Sequence, residues 1–167
     1  MKKMTEENTR ASFAGETQAH VKYIAFADKA ESEGKPNVAR LFRAAAFSEQ
    51  VHALQHLQVL GGVGTTDENL LTARDGEEFE ISEMYPAYMA VAELQGEEQA
   101  HHTMQQALEA EKTHRALYDE ARAVVEAGSD LGQHNIHVCN QCGYTGTGEP
   151  PQRCPICKAP KKYFRSF

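Results

Sequence analysis

The sequence has no long apolar run, and nothing in it approaches the roughly 20 apolar residues that span a bilayer. Its first ten residues, MKKMTEENTR, include lysines but lack the apolar segment of a secretory signal. Both absences argue against a membrane partner and predict a cytoplasmic protein. The 167 residues are enough for one good-sized domain with a small appendage.

An excess of positive charge is also absent. Lysine and arginine number 17 against 24 aspartates and glutamates, which gives a formal net charge of −7. From Asn135 onward there are five basic residues and one acidic residue, or +4, so the preceding part carries −11. An acidic body argues against a nucleic-acid partner. The basic tail either serves solubility or docks on an acidic surface of its own chain or of a second subunit.

Cysteine is missing from most of the chain, and all four cysteines lie in the last 29 residues. A secreted disulfide scaffold would spread its cysteines, whereas pairs near one end favour a metal site. The tail contains C-x2-C, eleven residues and a second C-x2-C. Four thiolates with this spacing bind iron or zinc tetrahedrally, and the spacing does not choose between the two metals. The predicted ligands are Cys139, Cys142, Cys154 and Cys157.

Helical periodicity and Gly/Pro breaks predict four helices before this tail. They cover residues 5–33, 36–60, a third from Thr66 or the 70s to 95, and 97–127. Thr5 is the expected N-cap of the first helix, and Pro36 is expected to open the second. Composition divides the chain into a helical domain at 1–130, a linker at 131–136 and a Cys-rich domain at 137–167.

The first two helices repeat in the next two. TEEN at 5–8 matches TDEN at 66–69, and SEQVH at 48–52 returns as AEKTH at 110–114. The offset grows from 61 to 62 residues between Glu77 and Tyr85, so the second copy has one extra residue there. A single inserted residue in a helix often forms a π-bulge, frequently at a functional site.

Each repeat places a carboxylate and an imidazole on an apolar helix stripe. Glu49 and His52 fall on the stripe that runs from Leu41 to Val59, and Glu16 lies on the preceding helix. An isolated buried carboxylate costs several kcal/mol. Divalent cations would neutralise the carboxylates and bind the imidazoles. Glu from two helices and Glu-x-x-His from two others is the donor set of a di-iron or di-manganese bundle.

The third helix offers four candidate carboxylates, Glu77, Glu78, Glu80 and Glu83. The repeat selects Glu77 as the counterpart of Glu16. Glu80 lies one turn further on the same face and is predicted to be a seventh, asymmetric ligand. Glu83 could instead be that ligand, with Glu80 replacing Glu77, but the repeat favours Glu77. Glu78 is predicted to face solvent.

Other polar side chains lie near these positions. Tyr23 and Tyr85 follow the first glutamate of each repeat by about two turns, so their hydroxyls could hydrogen-bond ligating carboxylates. His56 lies one turn beyond His52 and could support it. The remaining histidines of the helices are predicted, like His56, to be structural or solvated rather than ligands: His20, His101 and His102.

Taken in order, these motifs resemble the rubrerythrins. They are SFAGE at 12–16, ExxH at 49–52, GExxE at 76–80 with EMYP at 83–86, ExxH at 111–114, and the terminal CxxCGY…CPxC. The resemblance covers essentially the whole chain and implies an all-α four-helix ferritin-like bundle with a small C-terminal rubredoxin-like metal-knuckle domain. One departure is Lys158, where rubredoxins often have glycine.

The resemblance also implies the cofactors and their ligands. Two irons would form a carboxylate site, and a third iron, or zinc in the isolated protein, would occupy the four-cysteine site. Glu80 and His52 would exchange at one iron as its oxidation state changes, because a carboxylate suits the ferric ion and imidazole the ferrous ion. The implied di-iron ligands are Glu16, Glu49, His52, Glu77, Glu80, Glu111 and His114.

The activity implied is reduction of hydrogen peroxide to water in oxidative stress defence. Electrons would come from a rubredoxin or from NAD(P)H through a reductase, and they would pass through the four-cysteine iron. The implied assembly is a homodimer or larger homo-oligomer, with exchanged helices in some members. Two alternatives remain: a ferroxidase or iron-handling protein, and a zinc-stabilised interaction module without catalysis.

Overall fold

The computed structural model describes all residues from Met1 to Phe167 and divides them into two compact units. The first unit is Met1–Gly64, and the second is Thr65–Phe167. None of the helices combines the length and the apolar content that a membrane-crossing segment requires.

The first unit is a hairpin of two long helices, α1 (Lys3–Ser32) and α2 (Pro36–Val59). Gly34 adopts a left-handed φ of 71° in the turn, and Pro36 opens α2 as predicted. The helices pack through alanines, because small side chains let two backbones approach closely. Ala27, Ala30 and Ala39 are buried there with Phe42 against them.

Two details of this unit differ from the sequence-based expectation. Helix α1 begins at Lys3, with Lys2 rather than Thr5 in the N-cap position, because Lys and Met are good helix formers and extend the helix towards the terminus. Leu41 and Val59, which the periodicity places on a core stripe, are 68% and 63% exposed. The buried face of the hairpin is instead the alanine face on which its two helices meet.

The second unit begins with α3 (Thr66–Phe79), which continues through a π-helical turn at Glu80–Met84 into α4 (Tyr85–Gln95). The π turn lies where the repeat requires one extra residue, so the predicted bulge is confirmed. Gly96 ends α4 with a left-handed φ of 70°, and α5 runs over Glu98–Glu126.

Ion pairs connect α3 to α5 along their length. Arg122 Nε lies 3.0 Å from Asp67 Oδ1, and Arg115 Nη1 lies 2.6 Å from Glu78 Oε2. Glu78, predicted to face solvent, is therefore a partly buried ion-pair partner. Each pair spans adjacent helices, so together they fix how α3 lies along α5.

A small antiparallel sheet completes the second unit. Its strands are β1 (Ile136–Cys139), β2 (Thr145–Thr147) and β3 (Phe164–Ser166), in the order β2-β1-β3. The buried ring of His137 packs edge-on against Phe164, with centroids 5.3 Å apart, and lies 6.1 Å from Tyr144. With so few strands, this aromatic cluster and the cysteines supply the interior of the segment.

The N-terminus of α3 gives a stability prediction. The Thr65 hydroxyl accepts a bond from the Glu68 amide, and the Glu68 carboxylate accepts one from the Thr65 amide, which is a capping box. Thr65→Ala should lower the free energy of unfolding by about 1 kcal/mol, because an amide at the helix end loses its acceptor. Denaturant titration of the full chain measures this. Thr65→Ser keeps the oxygen and should stay near wild type, so an equal loss in both variants would contradict the capping role.

Candidate metal centres

The first unit brings Glu16 of α1 together with Glu49 and His52 of α2. One ligand atom from each lies within 4.8 Å of the others. His52 Nδ1 is 3.4 Å from Glu49 Oε2 and 4.0 Å from Glu16 Oε1. A hydrogen bond between the two carboxyls raises the pKa of Glu16 and lowers that of Glu49. The pair therefore favours sharing one proton when no cation is present.

The second unit builds a matching cluster from Glu77 of α3 and Glu111 and His114 of α5. His114 Nδ1 lies 2.6 Å from Glu111 Oε2 and 3.8 Å from Glu77 Oε1. Burial, followed by repulsion from Glu111, raises the pKa of Glu77 from 4.5 to about 7. This carboxyl therefore carries a proton for much of its time near neutral pH unless a cation replaces that proton.

The π turn gives the second cluster an extra carboxylate. Glu80 is partly buried, and its pKa is raised by burial and by the charge of Glu111. Glu83, also in the π turn, is exposed. Glu77 and Glu80 thus both experience the charge of the second cluster, although the choice between Glu77 and Glu83 as a ligand stays a prediction.

Three tyrosines have different surroundings. Tyr85 has a raised pKa because it is partly buried and lies near the charges of Glu80, Glu111 and Glu77. Tyr118 has a raised pKa for the same kind of reason, with burial first and Glu77 and Glu111 next. The Tyr23 ring instead packs 6.2 Å from each of two phenylalanine rings, at Phe26 and Phe42. Sequence analysis did not assign Tyr118 to the site, because its helical position equally suited packing.

The remaining helical histidines lie outside the three groups of candidate ligands. His20 bridges α1 and α2, since its Nδ1 lies 2.8 Å from the Ala46 carbonyl oxygen. His102 Nε2 lies 2.9 Å from the Gln106 side-chain amide nitrogen. His56 is close enough to lower the pKa of Glu16 slightly through its charge. His20 thus has a structural contact, as predicted.

The four cysteines converge on one point at the end of the small sheet. Their sulfurs all lie within 4.8 Å of one another. Cys139 Sγ is 3.6 Å from Cys157 Sγ, and Cys142 Sγ is 3.5 Å from Cys154 Sγ. A tetrahedron of 2.3 Å metal–sulfur bonds places its sulfurs about 3.8 Å apart. The four thiols therefore fit a single tetrahedral ion.

The two C-x2-C turns have similar backbones. The amide of Gly143 donates to the Cys139 carbonyl at 2.9 Å, and that of Lys158 donates to the Cys154 carbonyl at 3.0 Å. Both residues have positive φ, 80° for Gly143 and 63° for Lys158. A lysine in this left-handed region costs about 1 kcal/mol, so the departure at Lys158 is tolerated with strain.

Local dipoles act on the sulfurs. Burial alone would raise the pKa of Cys154, but backbone amides of Cys157 and Ile156 point at its sulfur and lower the pKa on balance. Burial raises the pKa of Cys142. One thiolate is thus favoured by backbone amides, while another needs a bound cation to ionise.

The chemistry of the helical donors also fits metal. Each cluster supplies two carboxylates and one imidazole, and Glu80 adds a further oxygen donor beside the second. Oxygen donors with a few imidazoles, drawn from facing helices, are the ligands of di-iron carboxylate proteins.

Comparison with known proteins agrees with this assignment. Residues 7–122 match the family model for rubrerythrin, and residues 137–165 match the model for the rubrerythrin rubredoxin-like domain. The chain is 37% identical to rubrerythrin-2 of Clostridium acetobutylicum, over 98% of this chain and 97% of that protein. It is 36% identical to nigerythrin of Nitratidesulfovibrio vulgaris, over 98% of this chain and 86% of nigerythrin.

Solved structures of nigerythrin also match the fold of this chain. Fully reduced, all-ferrous nigerythrin matches with a TM-score of 0.59 and 34% identity, over 98% of this chain and 86% of that one. These matches confirm the predicted fold class, a ferritin-like helical bundle with a rubredoxin-like domain. They also identify an iron-binding oxidoreductase with a carboxylate di-iron site and a four-cysteine site.

The Glu77 carboxyl gives a pH prediction for protein with zinc in the cysteine site and no metal in the clusters. Because the pKa in the folded state is raised from 4.5 to about 7, the protonated carboxyl contributes stability below pH 4.5, and this contribution is lost as pH rises through about 7. Wild type should therefore lose unfolding free energy relative to Glu77→Gln across that range. Denaturant titration at several pH values measures the difference. The exposed Glu83→Gln is the control, and a flat difference for Glu77→Gln would refute the assignment.

Proposed function

Since the chain belongs to the rubrerythrin family, we propose that it reduces hydrogen peroxide to water in defence against oxidative stress. The balanced reaction takes up two electrons and two protons for each peroxide and releases two waters. The observation that carries the proposal is the combination, in one chain, of two carboxylate–imidazole clusters and a four-sulfur site. The clusters suit two-electron peroxide chemistry, and the sulfur site suits delivery of single electrons.

We assign the di-iron ligands as the resemblance implies. Six of them lie in the two clusters, and Glu80 lies beside the second, where its charge raises the pKa of Glu77. Exchange of Glu80 and His52 at one iron remains part of the proposal. The assigned ligands are Glu16, Glu49, His52, Glu77, Glu80, Glu111 and His114.

Bound iron would supply the electrons and stabilise negative charge that develops on oxygen as the peroxide bond breaks. The protein's own contribution is to hold donors and protons. Tyr85 and Tyr118 keep their phenolic protons at neutral pH, as tyrosines ordinarily do, and burial raises their pKa values further. Their hydroxyls can therefore donate hydrogen bonds to the carboxylates. Tyr23 has the equivalent role in the first repeat by analogy, although its ring packs on phenylalanines.

The cysteine site is proposed to hold iron and to relay electrons from a separate redox protein, such as a rubredoxin or a reductase that oxidises NAD(P)H. A homodimer or larger homo-oligomer, with helices exchanged between subunits, is the proposed assembly. A cytoplasmic location is also proposed, because four cysteines grouped around one point suit a metal site in a reducing compartment. We retain the division into a bundle at 1–130, a linker at 131–136 and a rubredoxin-like domain at 137–167 as a proposal.

A ferroxidase or iron-handling protein is the second candidate, and it needs the carboxylate clusters alone. The four-cysteine site disfavours it, because an iron store has no use for a one-electron relay. A non-catalytic zinc module would account for the cysteines but would leave two clusters of partly buried carboxylates without a cation.

The peroxidase proposal predicts a specific spectroscopic result. Protein produced anaerobically with iron should contain about three irons per chain and show the red colour of ferric iron on four sulfurs. Peroxide added to the fully reduced protein should restore that colour rapidly, because electrons leave the sulfur site through the clusters. Stopped-flow absorbance measures the rate. Iron oxidation with oxygen but not with peroxide, and without return of the red colour, would favour the ferroxidase.

Separating the relay from the reaction site gives a second prediction. Protein with zinc in the cysteine site and iron in the clusters should still reduce one peroxide after chemical pre-reduction. Its steady-state turnover with a protein donor should fall at least about tenfold, because zinc has no redox chemistry. Zinc substitution also keeps the four-cysteine segment folded, whereas replacing a ligand such as Cys139 would remove the metal that the fold needs. Loss of the single turnover in the zinc form would contradict separate sites.

A further inference from the structure

One imidazole connects the second cluster to the rubredoxin-like segment of the same chain. His114 Nδ1 faces the carboxylates, 2.6 Å from Glu111 Oε2. Its other nitrogen, Nε2, lies 2.9 Å from Thr145 Oγ1 and 3.2 Å from the Gly143 carbonyl oxygen. Both edges of the ring therefore have partners, one on helix α5 and one on the segment that carries the cysteines.

The partners of Nε2 determine where the ring proton lies. The Gly143 carbonyl can only accept a hydrogen bond. The single hydroxyl proton of Thr145 is directed at the same carbonyl, over 3.0 Å. The Thr145 oxygen therefore presents its lone pairs to His114, and Nε2 must be the donor. Without a metal, the 2.6 Å contact of Nδ1 with Glu111 Oε2 also holds one proton, and a cation that replaces this proton would bind the Nδ1 lone pair while Nε2 keeps its own proton.

Close packing holds this arrangement in place. The Thr145 backbone amide donates to Thr113 Oγ1 at 3.4 Å, one residue before His114 on α5. Ala110, one helical turn earlier, is 1% exposed, and a Cβ on Gly143 would lie 3.8 Å from its methyl group. Small side chains on both surfaces thus allow the first cysteine turn to approach the helix.

We propose that Thr145 is a positioning residue for His114. Its hydroxyl, together with the Gly143 carbonyl, keeps the ring proton on Nε2 and reserves Nδ1 for metal, and the same contacts seat the rubredoxin-like segment on helix α5 of its own chain. This assignment rests on the proposed function only in that His114 binds a metal, and it does not depend on which oxidant the metal reduces.

The test compares Thr145→Val with Thr145→Ser and Thr147→Val in the full chain. Valine matches the shape of threonine but lacks the hydroxyl, whereas serine keeps the hydroxyl. Thr147 lies two residues after Thr145 on β2. Both threonines and His114 line one cavity of about 360 Å³. Hydrogen bonds of this kind to a metal-binding histidine change metal affinity by about 10-fold to 100-fold.

Two readouts avoid dependence on catalysis. With zinc in the cysteine site, titration with cobalt(II) should reveal at least about tenfold weaker binding at the clusters in Thr145→Val. With zinc in all sites, the Nε2 proton of His114 should exchange with water at least about tenfold faster in that variant, as measured by nitrogen-15 NMR. Thr145→Ser and Thr147→Val should match wild type in both measurements.

The outcomes are distinct. If Thr145→Val lowers thermal stability but leaves cobalt affinity and proton exchange unchanged, Thr145 is only a structural residue and the proposal is overturned. If the segment does not fold with valine, Thr145→Ala repeats both measurements, and wild-type values there overturn it too. Should peroxide turnover be absent while Thr145→Val still weakens cobalt binding, the positioning role stands and the proposed function fails.

Discussion

Repulsion between carboxylates is the constraint on which the rest of this structure depends. Each helical unit gathers two partly buried glutamates and a histidine to within 4.8 Å of one another. Such groups cannot all be ionised at low cost, so the chain must supply either protons or cations. The raised pKa of Glu77 shows that a proton can be supplied when no metal is bound. The iron that the family binds is the cation that would replace this proton. Helix spacing, the π turn and the ion pairs between α3 and α5 all serve to hold these donors together.

The two repeats have diverged around that shared constraint. The first uses regular helices, and its His52 side chain is 49% exposed. The second inserts a π turn that contains Glu80, and its His114 side chain is 27% exposed. His114 is less exposed because Thr145 and Gly143 cover its outer edge. The difference in histidine exposure thus arises from a segment that lies outside the repeat.

Charge does not attach that segment to the helix. It carries +4, whereas the rest of the chain carries −11, and docking of a basic tail on an acidic body was one of the two sequence-based alternatives. In the structure its ion pair is internal, between Lys161 and Glu149. Hydrogen bonds of Thr145 and the approach of Gly143 to Ala110 make the junction instead. Such directional contacts fix orientation, which a diffuse attraction between net charges cannot do.

The sequence by itself determined the repeat, the position of the π turn, the grouping of the four cysteines and the glutamates and histidines that meet in the two clusters, because each is encoded in spacing along a helix or a tight turn. The sequence pattern wrongly predicted Thr5 as the N-cap of α1. It also predicted that Leu41 and Val59 lie in the core, whereas the buried face of the hairpin consists of alanines. Only the tertiary structure decided that burial and the cluster carboxylates raise the pKa of Tyr118. It also decided that Glu78 forms an ion pair with Arg115 and that Thr145 forms a hydrogen bond with His114. Those contacts join residues distant in sequence, and no local periodicity records which side chains meet when separate elements pack.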